Sequence, residues 1–140
     1  MFDQPIRNVM DEKRLLTALP ETTVADAAKL MAHMNVGAVV VMDNERVTGI
    51  FTERDAVFRV IAQGRDAGTT PLTEVMTYAP KTLGPDKSYG HALLLMQENG
   101  FRHVPVIENG RLVGIVSSRN AMDPDLEEFI AEERRREHHR

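Results

Sequence analysis

Two short polar runs carry the residues of this chain that could do chemistry. Thr52-Glu53-Arg54-Asp55 closes the phrase GIFTERD at residues 49–55, and Ser117-Ser118-Arg119-Asn120 closes a near copy, GIVSSRN, at 114–120. A hydroxyl followed three residues later by an acid or amide is the spacing of a capping box, in which each side chain bonds the other's backbone N–H at a helix start. A helix start also gathers unpaired N–H groups and so attracts anions. Arg54 and Arg119 sit in the first turn of each candidate helix, where the dipole disfavours a cation by some tenths of a kcal/mol up to about 1. Repetition of that choice implies either a compensating anion or an ion pair with a neighbour such as Glu53. In the second copy Arg102 and His103 open the apolar run RHVPVI. A cation and an imidazole entering a core need a partner, and a carboxylate or a phosphate would serve.

Other chemistries find no support. The chain has 140 residues and no cysteine, which excludes disulfides, thiolate catalysis and cysteine-bound metals. It shows no HExxH, phosphate-binding P-loop or GxGxxG pattern, and no nucleophile–base pair can be assigned. His138 and His139 are adjacent and cannot share a helix face, so no metal site is expected. The formal charge is −4, and both signs are mixed along the chain, against the basic face that nucleic acid requires. The longest apolar run, VGAVVVM, has the length of a strand and not of a membrane span. With charges near the N-terminus where a signal peptide needs an apolar stretch, the expected location is the cytoplasm.

The elements that position these residues come from a duplication. At an offset of 65, Pro20 pairs with Pro85, Ala27 with Ala92, Met31 with Met96, Val39 and Val41 with Val104 and Val106, Asn44 with Asn109, and Arg46 with Arg111; NVM at 8–10 echoes EVM at 74–76 at 66. A fixed offset over most of each half marks a repeated supersecondary unit. Each copy reads strand, helix, strand, strand, helix. LLTALP and PKTLGP are extended runs closed by proline. TVADAAKLMAHM and SYGHALLLMQEN have helical spacing and should stop at Asn35 and Gly100, the residue types that tolerate a left-handed closing conformation. VGAVVVM and RHVPVI lead through DNER and ENGR to VTGIF and LVGIV, and Asn109-Gly110 is a strong hairpin signal. ERDAVFRVIAQ and RNAMD then begin helices. Half-sheets this small bury too little alone, so the fold class is α+β (α/β), with two β-α-β-β-α repeats packed as one module. The repeats span 5–64 and 74–122, joined by a linker at 65–73 and followed by a C-terminal helix and tail at 123–140.

VM ahead of each copy, GAVVVMDNERVTGIFTERD in the first and GFRHVPVIENGRLVGIVSSRN in the second resemble a tandem pair of CBS domains, also called a Bateman module, over about residues 5–122. The resemblance implies two clefts between the repeats that take adenosine-containing ligands: AMP, ADP, ATP, NAD(H) or S-adenosylmethionine. By position it implies ribose and phosphate contacts from Thr52 and Asp55, with Arg54, and from Ser117 and Asn120, with Arg119. Arg102 and His103 match a phosphate-facing basic pair ahead of Pro105, and Gly37 and Ala38 hold those positions in the first copy. Asn120 lacks the charge of Asp55, so the second cleft is expected to be the poorer ribose site. The resemblance implies a homodimer too, which fits the helix from residue 54 to 63, apolar nearly all round; cover by the linker is the other reading. No catalytic cofactor is implied. A ligand sensor acting on an unidentified partner protein, a ligand-free dimerisation scaffold and, last, an enzyme are the competing functions. Asp123 and Pro124 should cap the C-terminal helix, whose Leu126, Phe129 and Ile130 form a stripe for docking. The eight methionines read as packing residues.

Overall fold

Residues 38–41, AVVV, are buried at every position, which requires apolar material on both faces of their strand. The computed structural model, which describes residues 2–120 and 124–138, supplies it. Val39 and Val41 face α1 (Val24–Met34), packing with Ala27, Met31 and Phe51. Ala38 and Val40 face the other repeat, packing with Ile50 and Ile115. In the second repeat Val104 and Val106 meet Ala92 and Met96 of α3 (Tyr89–Asn99). The molecule is therefore two small sheets back to back, each with a helix outside it.

The first sheet has the order β1 (Thr17–Ala18), β2 (Ala38–Asp43), β3 (Arg46–Thr52), β4 (Thr77–Tyr78). β1 and β2 are parallel and the other pairs antiparallel. The second sheet is the hairpin of β5 (His103–Glu108) and β6 (Arg111–Ser117). Both hairpins turn through two residues of positive φ, Asn44-Glu45 and Asn109-Gly110, the geometry that matches strand twist. Both helices close at left-handed residues, Asn35 (φ 54°) and Gly100 (φ 72°), as their sequence implied.

The predicted strand PKTLGP does not form; Leu83 makes a single parallel bridge to Val106. The cause lies in Pro105. In the first repeat the Val40 N–H donates to the Leu16 carbonyl. Pro105 stands at the equivalent position without an N–H, so the ladder cannot extend there. LLTALP is likewise reduced to the two residues of β1. Arg102, expected to enter the buried strand, precedes β5 and is exposed.

The leading segment of each repeat crosses to the other. β4 pairs with β3 through Gly49–Tyr78 and Ile50–Thr77, and Leu72, Val75 and Met76 complete the first core. In the mirror arrangement Asp11 pairs with Ile115, and Ile6 lies fully buried among Tyr89, Ala92 and Met96. The seat of each crossing is a glycine. A Cβ on Gly114 would stand 2.8 Å from Met10 Sδ and 3.0 Å from the Asp11 carbonyl oxygen, and one on Gly49 would overlap Met76 Sδ.

After Thr52, α2 (Glu53–Asp55) widens at once into a π-helical stretch, Ala56–Ile61, in place of the uniform α-helix expected over 54–63. Bonds such as Ala62 N–H to the Val57 carbonyl span five residues. Val60 is buried, but Val57, Phe58 and Ile61 are exposed, so this chain's own linker does not cover that face. In the second repeat Ser118–Asn120 forms a 3-10 turn. Pro124 opens α4 (Pro124–His138); Asp123 and the side chain of Leu126 lie outside the described residues, and Phe129 is exposed on this chain, not docked on its own module.

Gly114→Ala should destabilise the fold by about 1–3 kcal/mol through overpacking against Met10. Chemical denaturation should show the loss, and Met10→Ala in the same chain should recover part of it. Additive effects of the two substitutions would refute the seat.

Candidate functional site

A cleft of about 230 Å³ opens between the repeats, lined by Asp11 and Arg14 from the leading segment and Asn35 to Ala38 from the first repeat; His103, Ile115, Ser117, Arg119 and Asn120 close it from the second. Of the residues singled out by sequence, it brings together Gly37, Ala38, His103, Ser117, Arg119 and Asn120. Thr52, Arg54, Asp55, Arg102 and Pro105 do not line it. The basic pair is thereby split, with His103 at this cleft and Arg102 away from it.

Local bonding explains why Ser117 and Asn120 share a wall. Asn120 Oδ1 accepts from the Ser117 N–H at 2.6 Å and from its hydroxyl at 3.0 Å. The amide is thereby oriented, and Nδ2 donates to Asp11 Oδ2 at 3.2 Å. This contact alters the reading of the acid-to-amide change. The second repeat does carry a carboxylate, but on the crossing segment. An acid at 120 would set two like charges about 3 Å apart, which neither could hold without cost. Asp11 is fixed by its backbone, whose N–H and carbonyl both bond Ile115, at 2.8 and 3.0 Å. Arg14 does not neutralise it, because its guanidinium donates to the carbonyls of Met34 and Asn35 at the end of α1.

At Thr52 the capping box is complete. The Asp55 N–H donates to Thr52 Oγ1 at 3.3 Å, and Asp55 Oδ2 accepts from the Thr52 N–H at 3.0 Å. Asp55 Oδ1 faces Arg59 at 3.5 Å. Arg54 lies over the Phe58 ring, 5.2 Å from its centre, so an aromatic face answers the cation that the helix dipole disfavours. The alternative of an ion pair with Glu53 is not found among the described residues.

Glu53 instead reaches toward Gly37, behind the cleft wall. A Cβ on Gly37 would meet Glu53 Oε1 at 3.0 Å and His103 Nε2 at 3.5 Å, so the glycine leaves room for both side chains. Burial pushes the His103 pKa below its ordinary value; Glu53 opposes this, while Arg119 and Arg102 reinforce it. Asp11 and Arg14 line the cleft and were not singled out from sequence. The available signal was the VM echo, because Asp11 follows Met10 as Thr77 follows Met76.

The model of the CBS domain family matches residues 6–62 and 72–124. The chain belongs to the CBS family. CBS domains are regulatory modules and not catalysts, and among the described residues no group of acids and histidines could hold a metal ion. The CBS domain-containing protein YhcV of Bacillus subtilis is 38% identical over 104 residues, covering 74% of each chain. Two longer curated relatives are spanned over 61% and 50% of their lengths. A putative signal-transduction protein with CBS domains from Burkholderia ambifaria has a similar structure, with a TM-score of 0.73 and 36% identity over 76% of this chain and 78% of that one. The CBS domain pair of protein MJ0100, solved with 5′-methylthioadenosine and S-adenosyl-L-methionine, shares the fold at a TM-score of 0.75 and 24% identity, over 84% of this chain and 95% of that one. No described helix is long and apolar enough to cross a membrane.

Asn120→Asp should lower stability at neutral pH, and the deficit should shrink as pH falls through the carboxylate range. The folded pair would hold a proton that the unfolded chain releases, so stability must fall as pH rises. Thermal unfolding between pH 4 and 8 tests this, and a deficit independent of pH would argue against charge repulsion.

Proposed function

We propose that this CBS pair is a regulatory module that binds an adenosine-containing nucleotide (AMP, ADP, ATP or NAD(H)) between its repeats and passes its occupancy to a partner protein. The observation that carries this reading is the cleft itself, where a helix-start hydroxyl and amide, an arginine and a carboxylate converge. Its volume of about 230 Å³ falls below the usual small-molecule range of about 300–1,000 Å³, which suits a nucleoside whose phosphates extend outward past Arg119. The repeat offset relates Gly37 and Ala38 to Arg102 and His103. By that symmetry Thr52, Arg54, Asp55 and Arg102 serve a second, chemically unequal cleft, with Pro105 behind them in the strand and His103 between it and the first.

Thermal-shift screening against AMP, ADP, ATP, NAD, NADH and S-adenosylmethionine tests the reading. A ligand at a hundred times its Kd adds about 2.7 kcal/mol, worth several degrees. Asp55→Ala should weaken the nucleotide that binds at Thr52 by roughly ten- to a hundredfold, from loss of charge-assisted bonds. If no member of the panel shifts the transition, the ligand-free scaffold is the better description.

The exposed Val57, Phe58 and Ile61 support a homodimer formed through the π-helical stretch. Light scattering should give twice the chain mass, and Ile61→Glu should halve it without unfolding the protein. A monomer in the unaltered protein would exclude this contact.

A further inference from the structure

The bonding around Asn120 leaves that residue little to offer a ligand. Its carbonyl oxygen has two acceptor positions, and the N–H and hydroxyl of Ser117 take both. Its amide nitrogen is turned toward Asp11. Asp11 is in the opposite condition. A carboxylate has about four acceptor positions, and among the described residues the Asn120 amide is its one side-chain donor. Its N–H and carbonyl both bond Ile115, so the carboxylate is set in the cleft wall by backbone pairing to the edge of β6. Arg14, the cation of its own segment that lines the cleft, is bound to the end of α1.

We propose that Asp11, brought in by the leading segment, accepts the sugar hydroxyls of a nucleoside held in this cleft, and thereby selects ligands with a free vicinal diol. This rests on the nucleotide reading above. A carboxylate accepts both hydroxyl protons of a diol through charge-assisted bonds, which a neutral amide with its oxygen already engaged cannot do. Asn120 then acts as a positioning residue, steering one oxygen of Asp11 and leaving the other to the ligand. The acid of this site belongs to the same cleft as Ser117 but reaches it from the far end of the chain.

The test is an NMR titration of the isotopically labelled full chain with AMP and ATP, and with their 2′,3′-dideoxy counterparts. The amides of Gly37, Ser117 and Asn120 report this cleft. The unaltered protein should prefer the ribonucleotides by tenfold or more. Asp11→Asn, which keeps the backbone bonds to Ile115, should abolish that preference and leave the dideoxy affinity unchanged. Retention of the preference by Asp11→Asn would overturn the assignment while leaving the nucleotide reading intact. Equal weakening of both ligand classes would reduce Asp11 to a structural role and overturn it too. If these amides respond to none of the nucleotides, the nucleotide reading of this cleft fails, and the assignment with it.

Discussion

Each repeat is finished by a segment of the other, and the rest of the architecture depends on that exchange. Met10 and Met76 lie against Gly114 and Gly49, where any larger residue would hold the crossing chain away from the sheet. With the methionines seated, Ile6 closes one core and Leu72 and Val75 close the other. The central layer of Ala38, Val40, Ile50 and Ile115 then brings two sheets together that would each bury too little alone. The flexible thioether suits the task, since it can fill whatever gap the strand leaves.

The exchange also explains the inequality of the two halves. Asp11 and Thr77 follow the two methionines and occupy equivalent places beside Ile115 and Ile50. An acid in one crossing segment goes with an amide in the helix start it meets, and a neutral threonine in the other goes with an acid. The carboxylate is thus carried by the helix start in one repeat, at Asp55, and by the crossing segment in the other, at Asp11. The polar groups of the module are matched between segments far apart in sequence, which is why neither copy of the phrase is intelligible alone.

Much of this was legible in the sequence. The offset of 65 located the hairpins, the helices and their closing residues, because these depend on local spacing and on Asn or Gly at left-handed positions. What was not legible depends on contacts between segments. PKTLGP has strand composition, yet Pro105, some twenty residues later, denies it a donor. The apolar run after Asp55 was expected to be one α-helix, and it widens into a π-helix for which residue spacing held no signal. Arg54 reads in the sequence as a cation answered by an anion or an ion pair, and its stacking on Phe58 four residues on was not legible there. At the cleft, Ser117 and Asn120 could be named from their motif. Asp11 could not, since its importance comes from a pairing across 109 residues.

That separation has a consequence for biosynthesis. Residues 6–11 are synthesised about a hundred residues ahead of β6, the strand that receives them. At about 5–20 residues per second, the leading segment spends roughly 5–20 s without its native partner. During that time Ile6, Val9 and Met10 are apolar side chains with nowhere to bury, on a nascent chain whose first sheet can already assemble. The linker and β4, by contrast, meet β3 soon after synthesis. The first repeat can thus mature early in translation, whereas the second, together with the cleft wall that includes Asp11, can close only after β6 has been made.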